Sequence, residues 1–549
     1  MRDILQKCRL FVIYTGIFSF VINILLLTPP LYLLNALDRV LSSRSVETLV
    51  MLTLLAIFAL TISSLLETVR TKLLNRFSIT LHHLLGRPTL AAILDLKQQE
   101  GQTKHGIDDV DILQNFITTR GVKAVFDIPW IPVYVAILFY FHITLAMFAL
   151  AAIVILLLLA IWETKVTKNT QLQVGAYSRA SKDFLELAYR NQEIISSLGM
   201  QETISKRWWV RNEEYLNRKN LVENKLATIQ AITRLVHFNI KILALGTAAY
   251  YVISDNMSPG IMIASNIILS KAIEPISSVI AAGKSFVDAK GAYNRLDRLL
   301  NSRNEKNIFM NLPAPTGQVS VEKVFFYLNQ DRNILNGISF KLKAGDCLCI
   351  IGSSASGKTT LAKMLVGFYK PKDGFVRLDG ADVSSWSKNG LGPYIGYLPQ
   401  DIQLFSGSIA ENIARLDNVQ SNEAKIIAAA KKARIHDMIL QLPQGYDTDI
   451  GERGSKLSGG QRQRIGIARA VYGNPKFIVL DEPNSNLDGQ AELELVEMLE
   501  ELKQQKVTVV VITHKPNLAE IADKMLALHE GKCVKFASRQ EVLAQIKMG

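Results

Sequence analysis

Cysteine is scarce in this chain of 549 residues: four occur, at Cys8, Cys347, Cys349 and Cys533. So few and so scattered, they exclude the disulfide framework of a small secreted domain. Cys347 and Cys349 stand two apart in the apolar run Cys347-Leu348-Cys349-Ile350-Ile351. Strand alternation puts both on one face, so a buried pair is expected rather than half of a metal site. Charge is sparse too. Asp, Glu, Lys and Arg make up 20% of the residues against 49% apolar types, which excludes a disordered chain and leaves hydrophobic surface suited to lipid. Acid is the rarer sign, with 49 acidic residues against 62 basic ones and a formal charge of +13. That excess sits mostly beside apolar runs, where positive-inside topology requires Lys and Arg, so membrane orientation explains it and no nucleic-acid partner is expected. At roughly 100 to 200 residues per domain, a single small module is also excluded.

What the chain does have is apolar runs near the roughly 20 residues that cross a bilayer. Six recur in the first part of the chain, approximately Leu10 to Leu34, Thr48 to Leu66, Val125 to Phe141, Thr144 to Trp162, Leu235 to Ser254 and Ile261 to Ala282. The first is not read as a cleaved signal peptide, because it continues through Pro29 and Pro30 and lacks a small-residue cleavage site followed by a soluble domain. Short links alternate with long ones at 67–124 and 163–234, whose Lys and Arg, such as Arg70, Lys165 and Arg211, put them and both termini in the cytoplasm. A helical period persists through them, as in Asp183-Phe184-Leu185-Glu186-Leu187-Ala188, which predicts two long cytoplasmic helical hairpins. Lys241, Lys271 and Glu274 are costly in lipid. Lys271 and Glu274, three apart on one helix face, either pair with each other or line a wet pathway between subunits.

Composition changes after Asn304, where Asn311, Pro313, Pro315 and Gly317 punctuate the chain. The expected division is a transmembrane domain at 1–303, a linker at 304–316 and an α/β nucleotide-binding domain at 317–549. In the last of these, β-type runs such as Cys347 to Ile351, Phe477 to Leu480 and Val507 to Ile512 alternate with helical ones, the pattern of a substantially parallel sheet. The run Gly352-Ser353-Ser354-Ala355-Ser356-Gly357-Lys358-Thr359 follows an apolar strand and precedes the helix-like Thr360-Leu361-Ala362-Lys363. This is a P-loop in its proper context. Its N–H groups point inward around an anion, Lys358 reaches the terminal phosphates, and the Thr359 hydroxyl can ligate Mg²⁺. A second apolar strand ends in Asp481-Glu482. Asp481 is expected to hold Mg²⁺ and Glu482 to orient and deprotonate the water that attacks the γ-phosphate, the bland alternative being that the two acids cap the next helix.

Between these lies Leu457-Ser458-Gly459-Gly460-Gln461, a Ser-Gly-Gly turn opening a helix and so a second anion grip. With the P-loop, this pentapeptide resembles the signature of ABC ATPases. The resemblance implies an α-helical transmembrane domain of six spans, of the ABC exporter type, followed by an α/β P-loop ABC nucleotide-binding domain. It implies a homodimer in which the signature of one subunit closes on ATP held by the P-loop of the other. It further implies that Gln400 contacts Mg²⁺ and senses the membrane domain, that Asp488 works across the dimer interface, and that His514 contacts the γ-phosphate. Where the family commonly has Gly, this chain has Ala355, so the loop is expected to keep φ below zero there. Among Phe325, Phe326 and Tyr327, Tyr327 is favoured to stack on adenine.

Asp127-Ile128-Pro129-Trp130-Ile131-Pro132, Pro259-Gly260-Ile261-Met262, Glu274-Pro275-Ile276 and Asp481-Glu482-Pro483-Asn484-Ser485-Asn486-Leu487-Asp488 narrow the resemblance to type I secretion ATPases of the PrtD kind. These export unfolded proteins with C-terminal signals through a membrane-fusion protein and an outer-membrane channel. The resemblance thus implies ATP hydrolysis coupled to polypeptide export across a bacterial inner membrane. No N-terminal peptidase domain precedes the first span, so leader cleavage is not expected. An exporter of lipids or hydrophobic small molecules has the same architecture and stands as the alternative. A non-transporting ABC protein is disfavoured by the six apolar runs.

Overall fold

The computed structural model describes residues 8–95, 106–254, 257–306, 312–327 and 333–541. They form two units, one up to Arg303 and the other from Asn304 onward.

The first unit is helical: α1 (Arg9–Leu25), α2 (Thr28–Asn35), α3 (Val46–Asp95), α4 (Gly106–Ile117), α5 (Arg120–Asp127), α6 (Ile131–Phe141), α7 (Ile143–Arg190), α8 (Gln201–Ile253), α9 (Pro259–Ala281) and α10 (Gly283–Lys306). Six stretches are long and apolar enough to cross a membrane: Arg9–Ser43, Val46–Leu94, Arg120–Phe141, Ile143–Thr167, Gln201–Ile253 and Pro259–Ala281. Each contains or nearly coincides with one of the six apolar runs. Outward-facing Met51, Phe58, Leu158 and Ile242 are exposed, as lipid contact requires. With 50, 48 and 53 residues, α3, α7 and α8 continue well past their apolar parts as uninterrupted helix. α3 packs against α4 and α7 against α8; residues 96–105, where the first expected hairpin would reverse, lie outside the described residues.

Local chemistry sets the breaks. Pro29 and Pro30 open α2, where an absent N–H costs nothing, and so interrupt the first span. His142 caps α7 by accepting from the Thr144 N–H at 3.3 Å, which makes the turn between the third and fourth spans tight. Asp38 caps α9, accepting from the Gly260 N–H at 2.8 Å and the Ser258 hydroxyl at 2.5 Å. A Cβ on Gly260 would lie 2.6 Å from that carboxylate, so glycine is required. Asp127, the first residue of the Asp-Ile-Pro-Trp motif, accepts from Arg70 and Asn23, both at 2.9 Å, and Arg70 also pairs with Glu67 at 2.5 Å. This buried network ties α1, α3 and α5 together. Lys271 and Glu274 pair at 3.0 Å, the first of the two alternatives.

The second unit holds two sheets. An antiparallel sheet has the order β2-β1-β4-β5, built from β1 (Val319–Tyr327), β2 (Asn333–Leu342), β4 (Asp373–Leu378) and β5 (Ala381–Asp382). The main sheet has the order β10-β9-β3-β8-β7-β6, from β3 (Cys347–Gly352), β6 (Ile395–Leu398), β7 (Phe477–Asp481), β8 (Thr508–Ile512), β9 (Lys524–His529) and β10 (Lys532–Ser538). Here β6, β7, β8, β3 and β9 are parallel neighbours, and only β10 runs against them. Parallel strands bring all their C-terminal ends to one edge, which is where ligands bind in such sheets. Every residue of β7 and β8 is buried, because helices cover one face and the antiparallel sheet, with the helix that follows the P-loop, covers the other. Cys347 and Cys349 are buried on one face, and burial pushes both thiols up to about 12, which leaves them inert.

Candidate functional site

Four adjacent parallel strands deliver the candidate residues to the same edge. β3 runs into the P-loop, β8 leads to His514, β7 ends in Asp481 before Glu482, and β6 leads through Pro399 to Gln400. The P-loop then enters α11 (Lys358–Leu365), and α12 (Val419–Lys432) follows further along the chain. Gly352 tolerates no side chain, because a Cβ would run into the Leu528 carbonyl and lie 2.8 Å from Ser356 Oγ. Gly357 combines φ of 96° with a Cβ position 2.7 Å from Leu335 and 2.8 Å from the Ile334 carbonyl. Both glycines let neighbouring backbone close in beneath the loop.

Ala355 corrects an expectation. Its φ is +63°, not negative. The Ser356 N–H donates to the Ser353 carbonyl at 3.2 Å, closing a turn whose third position, Ala355, is left-handed, as in the turn types that usually place glycine there. The loop imposes its curl on Ala355 at a cost of about 1–2 kcal/mol.

Lys358 is 7% exposed and donates to the carbonyls of Gly352 and Ser353 at 2.8 and 2.9 Å. Burial lowers its pKa, while Glu482 and Asp481 pull the other way. The Thr359 hydroxyl donates to Gln400 Oε1 at 3.4 Å, Gln400 Nε2 donates to Glu482 Oε2 at 3.3 Å, and His514 Nε2 stands 3.7 Å from Glu482 Oε1. The structure thus brings Lys358, Thr359, Gln400, Glu482 and His514 together. Glu482 has φ of 51°, a strained value for a residue with a side chain, and its N–H donates to the Ile512 carbonyl at 2.9 Å.

Asp481 is 1% exposed, and neither carboxylate oxygen has a hydrogen-bond partner among the described residues. Burial pushes its pKa above the usual carboxylate range, with the Thr359 hydroxyl and Lys358 acting in the opposite sense. An orphaned buried carboxylate beside a hydroxyl and an amide oxygen is an all-oxygen donor set, and it fits Mg²⁺, which takes few protein ligands and completes its shell with water and phosphate. Ser356 Oγ, within the same loop, is also buried and has no hydrogen-bond partner among the described residues.

Ser458 caps α13 (Gly459–Val471) reciprocally: its hydroxyl accepts from the Gln461 N–H at 3.2 Å, and its own N–H donates to Gln461 Oε1 at 2.9 Å. The next residues, Gly459 and Gly460, lie against Asn486, and a Cβ on Gly460 would sit 2.9 Å from its carbonyl. Leu457 is buried beneath the turn. Among the described residues no hydrogen bond or ion pair joins Leu457–Gln461 to the P-loop, so one chain carries two separate grips. Asp488 caps α14 (Gly489–Gln504) by accepting from the Ala491 N–H at 2.8 Å, and it lies 3.6 Å from Arg464. The cap of the helix after the acids is therefore Asp488, not Asp481 or Glu482. Of the three aromatics, Phe326 is fully buried against Tyr369, while Phe325 and Tyr327 stay half-buried.

Sequence reasoning missed Gln463. It is 1% exposed, donates to the carbonyls of Pro483 at 2.9 Å and Glu482 at 3.2 Å, and accepts from the Ser485 hydroxyl at 3.3 Å. It fastens the signature helix to the backbone of Glu482. The available signal was a polar residue in the buried stripe Gln463, Ile467, Ala470. Asn484 was quoted only as part of a motif, yet it accepts from Thr513 Oγ1 at 3.1 Å and so joins the Glu482 loop to the residue before His514. Arg415 was also missed. Its guanidinium donates to five carbonyls, among them Gly392 at 2.7 Å and Ile395 at 3.1 Å, and among the described residues it forms no ion pair.

The ABC transporter family profile matches residues 335–485, and the ABC transporter transmembrane region profile matches residues 12–275. The chain is 35% identical over 547 residues to the type I secretion system ATP-binding protein PrsD of Rhizobium meliloti (strain 1021), covering 99% of this chain and 94% of that one. It is 30% identical to the leukotoxin translocation ATP-binding protein LktB of Mannheimia haemolytica, over 98% of this chain and 77% of the relative. The solved structure of a bacterial Atm1-family ABC exporter with ATP bound superposes with a TM-score of 0.86, at 23% identity, over 98% of this chain and 96% of the other, which shows the same fold. The P-loop cluster, the separate signature grip and the six candidate spans agree with these likenesses, and the chain belongs to the ABC transporter family, as an ATP-hydrolysing exporter of the type I secretion ATPase group.

Proposed function

We propose that two copies of this chain form a homodimer in which ATP is held between the P-loop of one copy and the Leu457–Gln461 signature of the other. The observation that carries this reading is the convergence of Thr359, Gln400, Glu482 and His514 next to the orphaned Asp481 carboxylate. Residues Gly352 to Thr360 wrap the phosphates with inward N–H groups, and Lys358 exchanges its two carbonyl contacts for β- and γ-phosphate oxygens. Thr359, Gln400 and Asp481 hold Mg²⁺, which when bound neutralises developing phosphate charge. Glu482 takes a proton from the attacking water, its carboxylate aimed by Gln400 on one side and His514 on the other. His514 turns to the γ-phosphate, and Tyr327 stacks on adenine. Asp488, already fixed as a helix cap, meets the partner copy across the interface.

The cargo is an unfolded polypeptide with a C-terminal signal, passed to a membrane-fusion protein and an outer-membrane channel. The names of the relatives support this, since one serves a type I secretion system and another translocates a leukotoxin. The exporter then sits in a bacterial inner membrane, with the nucleotide domain and both termini cytoplasmic and residues 304–316 linking domain 1–303 to domain 317–549. The test is the Glu482→Gln protein. It is expected to bind ATP, dimerise tightly at the nucleotide domains and hydrolyse at least about a hundredfold more slowly, the usual scale of a lost general base. Wild-type turnover contradicts the role of Glu482. Identification of what co-purifies with the ATP-bound variant tests the cargo, and enrichment of lipid alone contradicts the polypeptide reading.

A further inference from the structure

The membrane unit contains a cleft of about 820 Å³ between one face of α8 and one face of α9, closed on its sides by α5 and α7. It lies at the end of the spans from which α7 and α8 extend. Its charges are unusual for such a place. Arg234 and Lys241, seven apart and thus on one side of α8, line it with His237 between them, and Arg120 enters from α5. Among the described residues Arg120, Arg234 and Lys241 make no hydrogen bond or ion pair, whereas Glu274, which also lines the cleft, is paired with Lys271. Arg120 and Arg234 are exposed and Lys241 is half-buried, so three unpaired cations stand ready to meet an anionic group entering the cleft. Glu163, 8% exposed, also lines the cleft, and among the described residues neither its Oε2 nor the buried Ser277 hydroxyl has a hydrogen-bond partner.

We propose that this cleft binds an extended, acidic polypeptide segment: Arg234 and Lys241 meet its carboxylates, with Arg120 adding to the field, while Glu163 and Ser277 meet its backbone N–H and C=O groups. This rests on the polypeptide-export reading and deepens it by naming the residues that read the cargo. The walls decide between a peptide and a phospholipid, which share an anionic group. Among the described residues Phe238 and Ile280 are the only large apolar side chains lining the cleft, too few to sheathe an acyl chain. Gln230, Thr233, Ser270 and Ser278 instead offer partners at close intervals, as an unfolded backbone leaving water requires.

The test uses the full-length protein in nanodiscs of phosphatidylcholine and fluorescent peptides of repeated Gly-Ser-Asp, Gly-Ser-Asn or Gly-Ser-Lys, read by anisotropy. The Asp peptide is expected to bind about tenfold or more tightly than the other two, a difference of about 1.4 kcal/mol or greater. In the Arg234→Glu, Lys241→Glu double variant the preference is expected to pass to the Lys peptide. Should that variant fail to elute as a single species, the Arg234→Gln, Lys241→Gln variant is expected to bind all three alike. Equal binding of the three peptides to the unaltered protein, or an Asp preference that survives both variants, overturns the cleft assignment and leaves polypeptide export standing. No binding of any peptide, with the unaltered protein and its secretion partners also failing to export a polypeptide, overturns both. Loss of Asp-peptide binding on adding phosphatidylglycerol to the disc identifies lipid as the ligand and overturns the proposal.

Discussion

Ala355 and Asp481 hold unfavourable states that the site requires. Ala355 sits at φ of +63° because the P-loop turn demands it. Ala355→Gly is expected to raise the stability of the nucleotide domain by about 1 kcal/mol, read as a higher melting temperature with hydrolysis retained. Asp481 is a buried carboxylate with no hydrogen-bond partner within the geometric limits of such a bond among the described residues, and burial raises its pKa. The folded state then holds its proton more firmly than the unfolded chain. Its contribution to stability is present at acid pH and is lost as pH rises from the unfolded carboxyl value through the raised folded one. Asp481→Asn removes that loss. The nucleotide-free, metal-free variant is expected to melt higher than the unaltered protein at neutral pH, with the gap closing in acid, and to lose Mg²⁺-dependent hydrolysis. A gap that instead widens on acidification contradicts the origin given for the shift. At this scale the sequence made the P-loop glycines, Lys358 and the acid pair readable, because their spacing is set by phosphate. The sign of φ at Ala355 was not readable, since local preference argued one way and the turn closed by Ser353 and Ser356 argued the other.

Between elements, Gln463 matters most. It joins α13, which begins at the signature, to the carbonyls of Glu482 and Pro483. Gln463→Leu leaves those buried carbonyls unpaired at a cost of about 1–3 kcal/mol. Binding of ATP to the P-loop is expected to persist while hydrolysis falls about tenfold or more, because Glu482 loses its backbone anchor. Equal loss of binding and hydrolysis would show a general unfolding of the domain instead. The strand order also belongs here. Apolar runs betrayed β3, β7 and β8 in the sequence, but their adjacency arises from long-range pairing that no local pattern encodes. That adjacency is what sets His514 beside Glu482. The breaks in the helical unit were partly legible, through Pro29, Pro30 and His142. Asp38 capping α9 from 222 residues away was not, since a cap across such a separation leaves no periodic trace.

For the whole molecule, the separation of the two grips within one chain is the decisive feature. The signature and P-loop share no hydrogen bond or ion pair among the described residues, yet each is built as an anion site. In the homodimer proposed above, a second copy supplies what each grip lacks, and symmetry completes both sites at once. The central claim is therefore that hydrolysis belongs to a pair of chains. The most direct measurement is the ATPase rate per chain in nanodiscs loaded with one copy or with two. The account predicts turnover in two-copy discs, abolished by Ser458→Arg, and background rates in one-copy discs. Full turnover from single copies, indifferent to Ser458→Arg, would contradict it.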